Sequence, residues 1–194
     1  FPYNTLNAEN PGISGFGDLY QNINQMNLFI SRTLHTDVLT ESARNYYLGQ
    51  VYGLRAYYMY QLYRSWGDVV FTEEPSLGFE VGKLAKAATP AAEIFELVKK
   101  DIESSLSYFG SDYTIKEKKS LWSKAATLML KADVYLWSAH RDGGEGDART
   151  AKNALVDIQN NISRSNLDLM DTYQGVFAYD NKGNLSLIHI SEPT

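Results

Sequence analysis

The first sixteen residues carry the side chains best suited to bind a small polar ligand. Prolines, glycines and asparagines dominate this stretch, a composition typical of a loop. Its aromatic and amide side chains of interest are Tyr3, Asn4, Asn7, Asn10 and Phe16. Aromatic planes suit the apolar C–H faces of a sugar and amides suit its hydroxyls, so these five are candidate ligand-binding residues. The alternative is an ordinary surface loop that binds nothing.

A second cluster of polar side chains, in the sequence HRDGGEGD, begins at His140. A calcium loop needs oxygen ligands at regular alternate positions, ending in a bidentate Glu, and Asp142, Glu145 and Asp147 do not have that spacing. His35 lies far from His140 in sequence, and the absence of cysteine excludes thiolate ligands. We therefore predict neither a metal site nor a cofactor.

Carboxylates that could serve a glycosidase are present but stand in no recognisable motif. A glycosidase uses two carboxylates across a cleft, and the candidates are Asp18, Asp37, Glu41 and Asp68. The chain has no nucleophile elbow, phosphate-binding loop or dinucleotide fingerprint. We predict that the protein is not an enzyme.

The composition is that of a folded domain with an aromatic bias. Of 194 residues, 44% are hydrophobic and 21% charged, which excludes a disordered chain. The net charge is −5 and no basic block stands out, so the electrostatic footprint of a nucleic-acid-binding protein is missing. No apolar run approaches the roughly 20 residues that a membrane span needs.

The sequence predicts five helices: Asp18 to His35, Thr40 to Ser65, a helix from Thr89–Pro90, a helix starting between Ser120 and Ser123, and Ala148 to Ile162. The predicted caps of the first three are Asp18, Thr40 and the Thr89 hydroxyl. In the fourth helix the predicted buried side consists of Leu121, Ala125, Leu128, Ala132 and Tyr135. Loops are predicted between Asp68 and Ala88, with a short extended piece near Val69, and from His140 to Arg149. Helix starts every 25 to 35 residues or so predict an all-α, tetratricopeptide-like stack of antiparallel helix pairs with long loops.

The second helix holds four tyrosines and a tryptophan in LRAYYMYQLYRSWGDVV, which serve either a packed core or a stacking surface. Core packing is favoured because aromatic residues at helical spacing beside Ala and Leu are usually buried. The predicted buried stripe is Tyr47, Val51, Leu54, Tyr58 and Leu62.

Three residues of this helix and its end have predicted structural roles. Gly53 lies in the helix interior, where it costs about 1 kcal/mol relative to Ala, and a close neighbouring helix would explain its presence. Arg55 is expected to pair with a neighbouring helix or a terminal carbonyl. Asp68 is expected to cap the turn after Trp66.

The segment YGLRAYYMYQLYRSWGDVV resembles the signature helix of the SusD/RagB family of outer-membrane nutrient-binding lipoproteins from Bacteroidetes. The match runs from Leu54-Arg55-Ala56 to Trp66-Gly67-Asp68-Val69, and Val70 replaces the usual proline. Further segments resemble the family in the same order over residues 17–184. They are LYQNINQMNLFI with Asn27, TPAAEIFELVKKDIESSL with Asp101, SKAATLMLKADVYLW and LDLMDTYQGVFAYDNKGN.

The resemblance implies a role as well as a helical fold. Family members lie on the outer face of the cell outer membrane, held by a lipidated cysteine. They bind oligosaccharides or peptides without catalysis and act as a lid over a TonB-dependent, SusC-like transporter. The alternative, suggested by helix pairs alone, is a helical-repeat scaffold that binds other proteins in a concave groove.

The two ends of the chain set the expected domain organisation. Residues 1–184 are expected to be part of a SusD-like helical domain, with family regions missing on both sides. The last ten residues, 185–194, read LSLIHISEPT and resemble a translated sequencing adapter, so they are expected to be a non-native tail. A short C-terminal strand is the alternative interpretation of these ten residues.

Overall fold

The computed structural model describes residues 15–78, 86–116, 121–165, 167 and 170–178. The candidate residues Tyr3, Asn4, Asn7 and Asn10, and the tail 185–194, lie outside the described residues. The helices are α1 (Gly17–Leu34), α2 (Glu41–Trp66), α3 (Ala91–Phe109), α4 (Lys124–Ser138), α5 (Gly144–Asn160), α6 (Ile162–Ser165) and α7 (Tyr173–Val176). Within the described ranges the β-structure is limited to an isolated antiparallel bridge between Val69 and Thr89. The all-α prediction is confirmed.

The predicted starts of α2 and α4 are confirmed, whereas the predicted cap of α1 is wrong. The Thr40 hydroxyl accepts a hydrogen bond from the Ala43 N–H and begins α2, and Ser123 begins α4 in the same way. Asp18 does not cap α1, because the helix already begins at Gly17 and Asp18 lies in its first turn. In that position its carboxylate interacts favourably with the positive end of the helix dipole, which explains an acidic residue at the start of the helix.

The long helix α2 is buried on more than one side because α1, α3 and α4 all pack against it. Its fully buried residues include Leu48, Ala56, Met59, Tyr60 and Leu62. The predicted stripe is therefore wrong except at Leu62, since Tyr47 is exposed and Val51, Leu54 and Tyr58 are half-buried. Core packing is confirmed for Tyr60, whereas Tyr57, Tyr58 and Tyr63 keep part of their surface in solvent.

Gly53 packs against side chains at and just before the start of α4. A Cβ atom on Gly53 would collide with Nε1 of Trp122 and lie 2.9 Å from the Thr127 hydroxyl. The Trp122 indole N–H donates to that same hydroxyl at 2.8 Å, so its position is fixed. The predicted close neighbour is confirmed, and glycine is required there for lack of space.

The helix α4 joins two hydrophobic clusters. On its predicted buried side, Ala125, Leu128 and Ala132 are buried in one cluster with residues of α5. Its opposite face, with Leu130 and Val134, packs with α2 and α3 in the main core. Two residues of the predicted buried side differ: Leu121 precedes the helix and is exposed, and Tyr135 is half-buried.

The predicted loop from His140 is largely helical. A π-helical turn at Ala139–Gly143 continues α4, and α5 begins at Gly144, four residues before the predicted start. Gly144, at the junction between this turn and α5, has φ +54°, a conformation that favours glycine. The Asp147 side chain occupies the space that a Cβ atom on Gly143 would need. The glycines thus permit a tight helical hairpin, and their number had indicated a loop.

None of the helices in the described part of the chain combines the length and apolar character required to cross a membrane.

Candidate functional site

A cleft of about 690 Å³ opens between the first turns of α1 and the loop that follows α2. We call residues 69–76 of that loop the cleft loop. The apolar lining of the cleft consists of Phe16, Ile23, Trp66, Val69, Val70 and Phe71. Gln21 and Lys86 are among the polar residues that line the cleft, and the Lys86 ammonium donates to the Thr72 hydroxyl at 3.0 Å. A concave apolar surface with a few polar groups is the usual form of a small-ligand site.

Phe16 is the one predicted ligand-binding residue that the structure describes, and it lies at the cleft. Its ring is 47% exposed and makes edge-to-face contacts with Tyr20 and Trp66, each with centroids 5.5 Å apart. The structure therefore brings the end of the N-terminal candidate segment against Trp66 from the aromatic helix. Sequence reasoning had assigned these two residues to separate roles.

The backbone of the cleft loop is fixed by side chains of α1. The Tyr20 hydroxyl donates to the Val70 carbonyl at 2.7 Å. The Asn24 amide makes two bonds to Ser76, accepting from its N–H at 2.7 Å and donating to its carbonyl at 3.2 Å. Tyr20 and Asn24 were not predicted from the sequence, although their four-residue spacing places them on one face of α1.

Asn27 continues this row and connects the cleft loop to the core. Its Nδ2 donates to the Thr72 carbonyl at 2.6 Å, and its Oδ1 accepts from Nη1 of Arg55 at 2.8 Å. Arg55 in turn donates from Nε and Nη2 to both carboxylate oxygens of Asp101, at 2.7 and 2.8 Å. These four residues form a continuous hydrogen-bonded path from α3 through α2 and α1 to the loop.

The Arg55–Asp101 pair is buried, with the two residues 3% and 4% exposed. The predicted pairing of Arg55 with a neighbouring helix is confirmed. Burial raises the pKa of the Asp101 carboxyl, and the hydrogen bonds from Arg55 oppose that rise. Such a pair is stabilising only when both partners are present and fully hydrogen-bonded, as they are here.

Asp68 caps a different element from the one predicted. Its carboxylate accepts from the Ala91 N–H at 2.8 Å, so it satisfies the start of α3 instead of the turn after Trp66. The predicted capping by the Thr89 hydroxyl is therefore wrong, and Pro90 occupies the N-cap position without a side-chain bond. The Asp68 carboxylate is thus engaged in holding two segments together.

At Val70, where the resembled signature usually has proline, the cleft loop is held by a hydrogen bond that proline would also allow. The bond from Tyr20 uses the Val70 carbonyl, a group that proline also carries. Gly67, with φ +72°, makes the sharp exit from α2 that the signature requires.

Across the described ranges, no three His, Asp or Glu side chains converge in a way that could hold a metal ion. Asp147, one of the carboxylates considered for a metal, lies 3.8 Å from the Lys99 ammonium. Its nearest charged partner is thus a basic side chain, which disfavours a cation at the same carboxylate.

The helix pairs define a tetratricopeptide-like helical protein, and comparison with known proteins shows what it is similar to. The structure resembles NanU from B. fragilis, with a TM-score of 0.82 and 48% identity over 94% of this chain and 36% of the NanU chain. SusD-like protein P38 from Formosa agariphila is 35% identical over 113 residues, which are 57% of this chain and 20% of that protein. These similarities support the SusD-like family that the sequence motifs predict.

A more distant structure shares the fold. Surface glycan-binding protein A from Bacteroides thetaiotaomicron, solved in complex with laminarihexaose, matches with a TM-score of 0.65 and 19% identity. The match covers 87% of this chain and 32% of that protein. No protein-family model matches the sequence. The chain thus spans about a third of the length of the solved structures it resembles.

Proposed function

We propose that the protein carrying this chain binds an oligosaccharide or another nutrient at the outer face of the outer membrane, without catalysis, for delivery to a TonB-dependent, SusC-like transporter. The observation that carries the proposal is the 48% identity with a SusD-superfamily relative over 94% of the chain. A glycan complex of a protein with the same fold is compatible with it.

The ligand site that we propose combines the N-terminal segment with the cleft. Phe16 and Trp66 offer aromatic surfaces to the apolar face of a sugar ring. Tyr20, Asn24 and Asn27 of α1 are engaged with the cleft loop, so a sugar would need other partners for its hydroxyls. Tyr3, Asn4, Asn7 and Asn10, directly upstream of Phe16, carry suitable groups.

Glycan binding is tested by electrophoresis of the intact protein in gels containing amylopectin, laminarin, xylan or pectin. At least one polysaccharide is expected to retard it, and Phe16→Ala is expected to weaken that affinity by roughly three- to tenfold, since an aromatic contact contributes about 0.5–1.5 kcal/mol. Phe177→Ala is the matched control, because Phe177 is also about half exposed and does not line the cleft. Equal losses in both variants would exclude the cleft, and sugar release from the gel would favour an enzyme.

Delivery to a transporter makes a separate prediction about assembly. Outer membranes solubilised in mild detergent are expected to yield the intact protein together with a TonB-dependent barrel protein. Protease added to whole cells is expected to cleave the protein, because the proposal places it on the outer face. Recovery in the cytosolic fraction, or purification from the membrane with soluble proteins only, would contradict this assignment and favour the helical-repeat scaffold.

A further inference from the structure

The cleft loop contains little regular secondary structure of its own. Its backbone bonds in the described chain include a single β-bridge at Val69, and the next fixed points are its contacts with α1. An extended segment held by side-chain contacts opens more easily than a helix or sheet. The shape of the cleft therefore depends on the residues that hold this loop.

Among those contacts, the hydrogen bond from Asn27 is oriented by a residue of the protein core. The Asn27 side chain is only 1% exposed, so its amide meets the cleft loop and Arg55 and is shielded from solvent. Arg55 can only donate, so it requires the Oδ1 of Asn27 to face it. That requirement turns Nδ2 toward the Thr72 carbonyl, 2.6 Å away.

Arg55 also touches the side-chain wall of the cleft. Its guanidinium carbon lies 6.0 Å from the centre of the Phe71 ring and 5.2 Å from the centre of the Tyr52 ring. Phe71 lines the cleft, and Thr72 is the next residue. The buried Arg55 guanidinium therefore helps to hold the Thr72 carbonyl, through Asn27, and the Phe71 side chain. Arg55 does not line the cleft itself.

We propose that Arg55 and Asn27 are positioning residues for ligand binding, which hold the cleft loop in the conformation that forms the cleft. This proposal rests on the proposed binding function for its consequence, although its structural part can be tested without a ligand. It gives the family-like residues Asn27, Arg55 and Asp101 a shared role, because their hydrogen bonds connect the packed helices to the cleft loop and restrict its motion.

The informative change is Asn27→Asp in the intact protein. The new side chain is nearly isosteric and can still accept from Arg55, but its ionised form cannot donate to the Thr72 carbonyl. Loss of one such bond should raise the open population of the cleft loop about two- to tenfold. Amide hydrogen exchange followed by mass spectrometry should show this rise in peptides covering residues 69–76, with α4 and α5 unchanged.

Asn153→Asp on α5 is the matched control, because it makes the same chemical change at an exposed position and should leave exchange in the cleft loop unaltered. Unchanged exchange at 69–76 in Asn27→Asp, or an increase spread evenly over α3 to α5, would overturn the positioning role.

Affinity-gel retardation by the same panel of polysaccharides should weaken in Asn27→Asp in step with loop opening, and retained retardation with an opened loop would also overturn the positioning role. If the unmodified protein binds none of them, the proposed function fails, while the exchange result still decides whether Asn27 holds the loop.

Discussion

Replacing Arg55 by alanine is expected to lower the free energy of unfolding by about 3–5 kcal/mol, because it leaves the Asp101 carboxylate buried without a partner. Asp101 receives two hydrogen bonds from Arg55 and is 4% exposed, so water cannot readily replace the guanidinium. The Asn27 carbonyl oxygen loses its donor as well. Urea denaturation of the intact protein, followed by the helical circular dichroism signal, measures the loss.

Lys100, next to Asp101 in the sequence, offers a control for the loss of a positive charge. Lys100 pairs with Glu73 at 2.9 Å, but both side chains are at least half exposed, so Lys100→Ala should cost no more than about 1 kcal/mol. Replacing both Arg55 and Asp101 by apolar residues of similar volume should recover much of the stability, since no unpaired charge remains. Comparable losses in Arg55→Ala and Lys100→Ala would show that the buried pair has no special role.

The sequence was most informative where the signal is local or carried by one unusual residue. Thr40 caps α2 as predicted, and Ser123, at the end of the predicted start region 120–123, caps α4. Arg55, in the middle of a helix, was expected to pair with a neighbouring helix or a terminal carbonyl, and its partner is Asp101 on α3. Gly53 implied a close neighbour because glycine is unfavourable in a helix interior.

The prediction was wrong where several sides of a helix are buried at once. Periodicity finds one apolar stripe, but α2 contacts three other helices and has no single buried face. Tyr47 and Tyr60 are the same residue type on the same helix, yet the first is exposed and the second is completely buried. Only the placement of α1, α3 and α4 distinguishes them.

Only part of the candidate site was predicted from the sequence, because its contacts join residues that are distant in sequence. Phe16 was selected for its aromatic ring, but its contact with Trp66 follows from the packing of α1 beside the end of α2. Asn24 and Ser76 are separated by 52 positions, and no local signal pairs them. Asp68 looked like a cap for its own turn, whereas its partner, the Ala91 N–H, lies beyond a long loop.

Gly53→Ala is expected to destabilise the protein by about 1–3 kcal/mol, although alanine is the better helix former by about 1 kcal/mol. The added methyl group collides with the Trp122 indole, which must move and release its bond to the Thr127 hydroxyl. Thr127 is fully buried, and its hydroxyl also contacts that of Ser105 at 2.9 Å, so the shift disturbs the contact between α3 and α4. Steric overlap and a lost hydrogen bond together exceed the gain in helix propensity.

Gly146→Ala on α5 is the matched control, because a Cβ atom there meets nothing within 4 Å. It should stabilise the protein by up to about 1 kcal/mol, so the same substitution has opposite signs at the two sites. Thermal and urea unfolding of both variants measure the difference. Trp122→Ala removes the shorter of the two overlaps, so the cost of Gly53→Ala should fall in that background, while the Thr127 hydroxyl, 2.9 Å from the added methyl group, keeps part of it. Stabilisation by Gly53→Ala in the unmodified protein would show that the α2–α4 contact is looser than the geometry requires, and that glycine is present there for another reason.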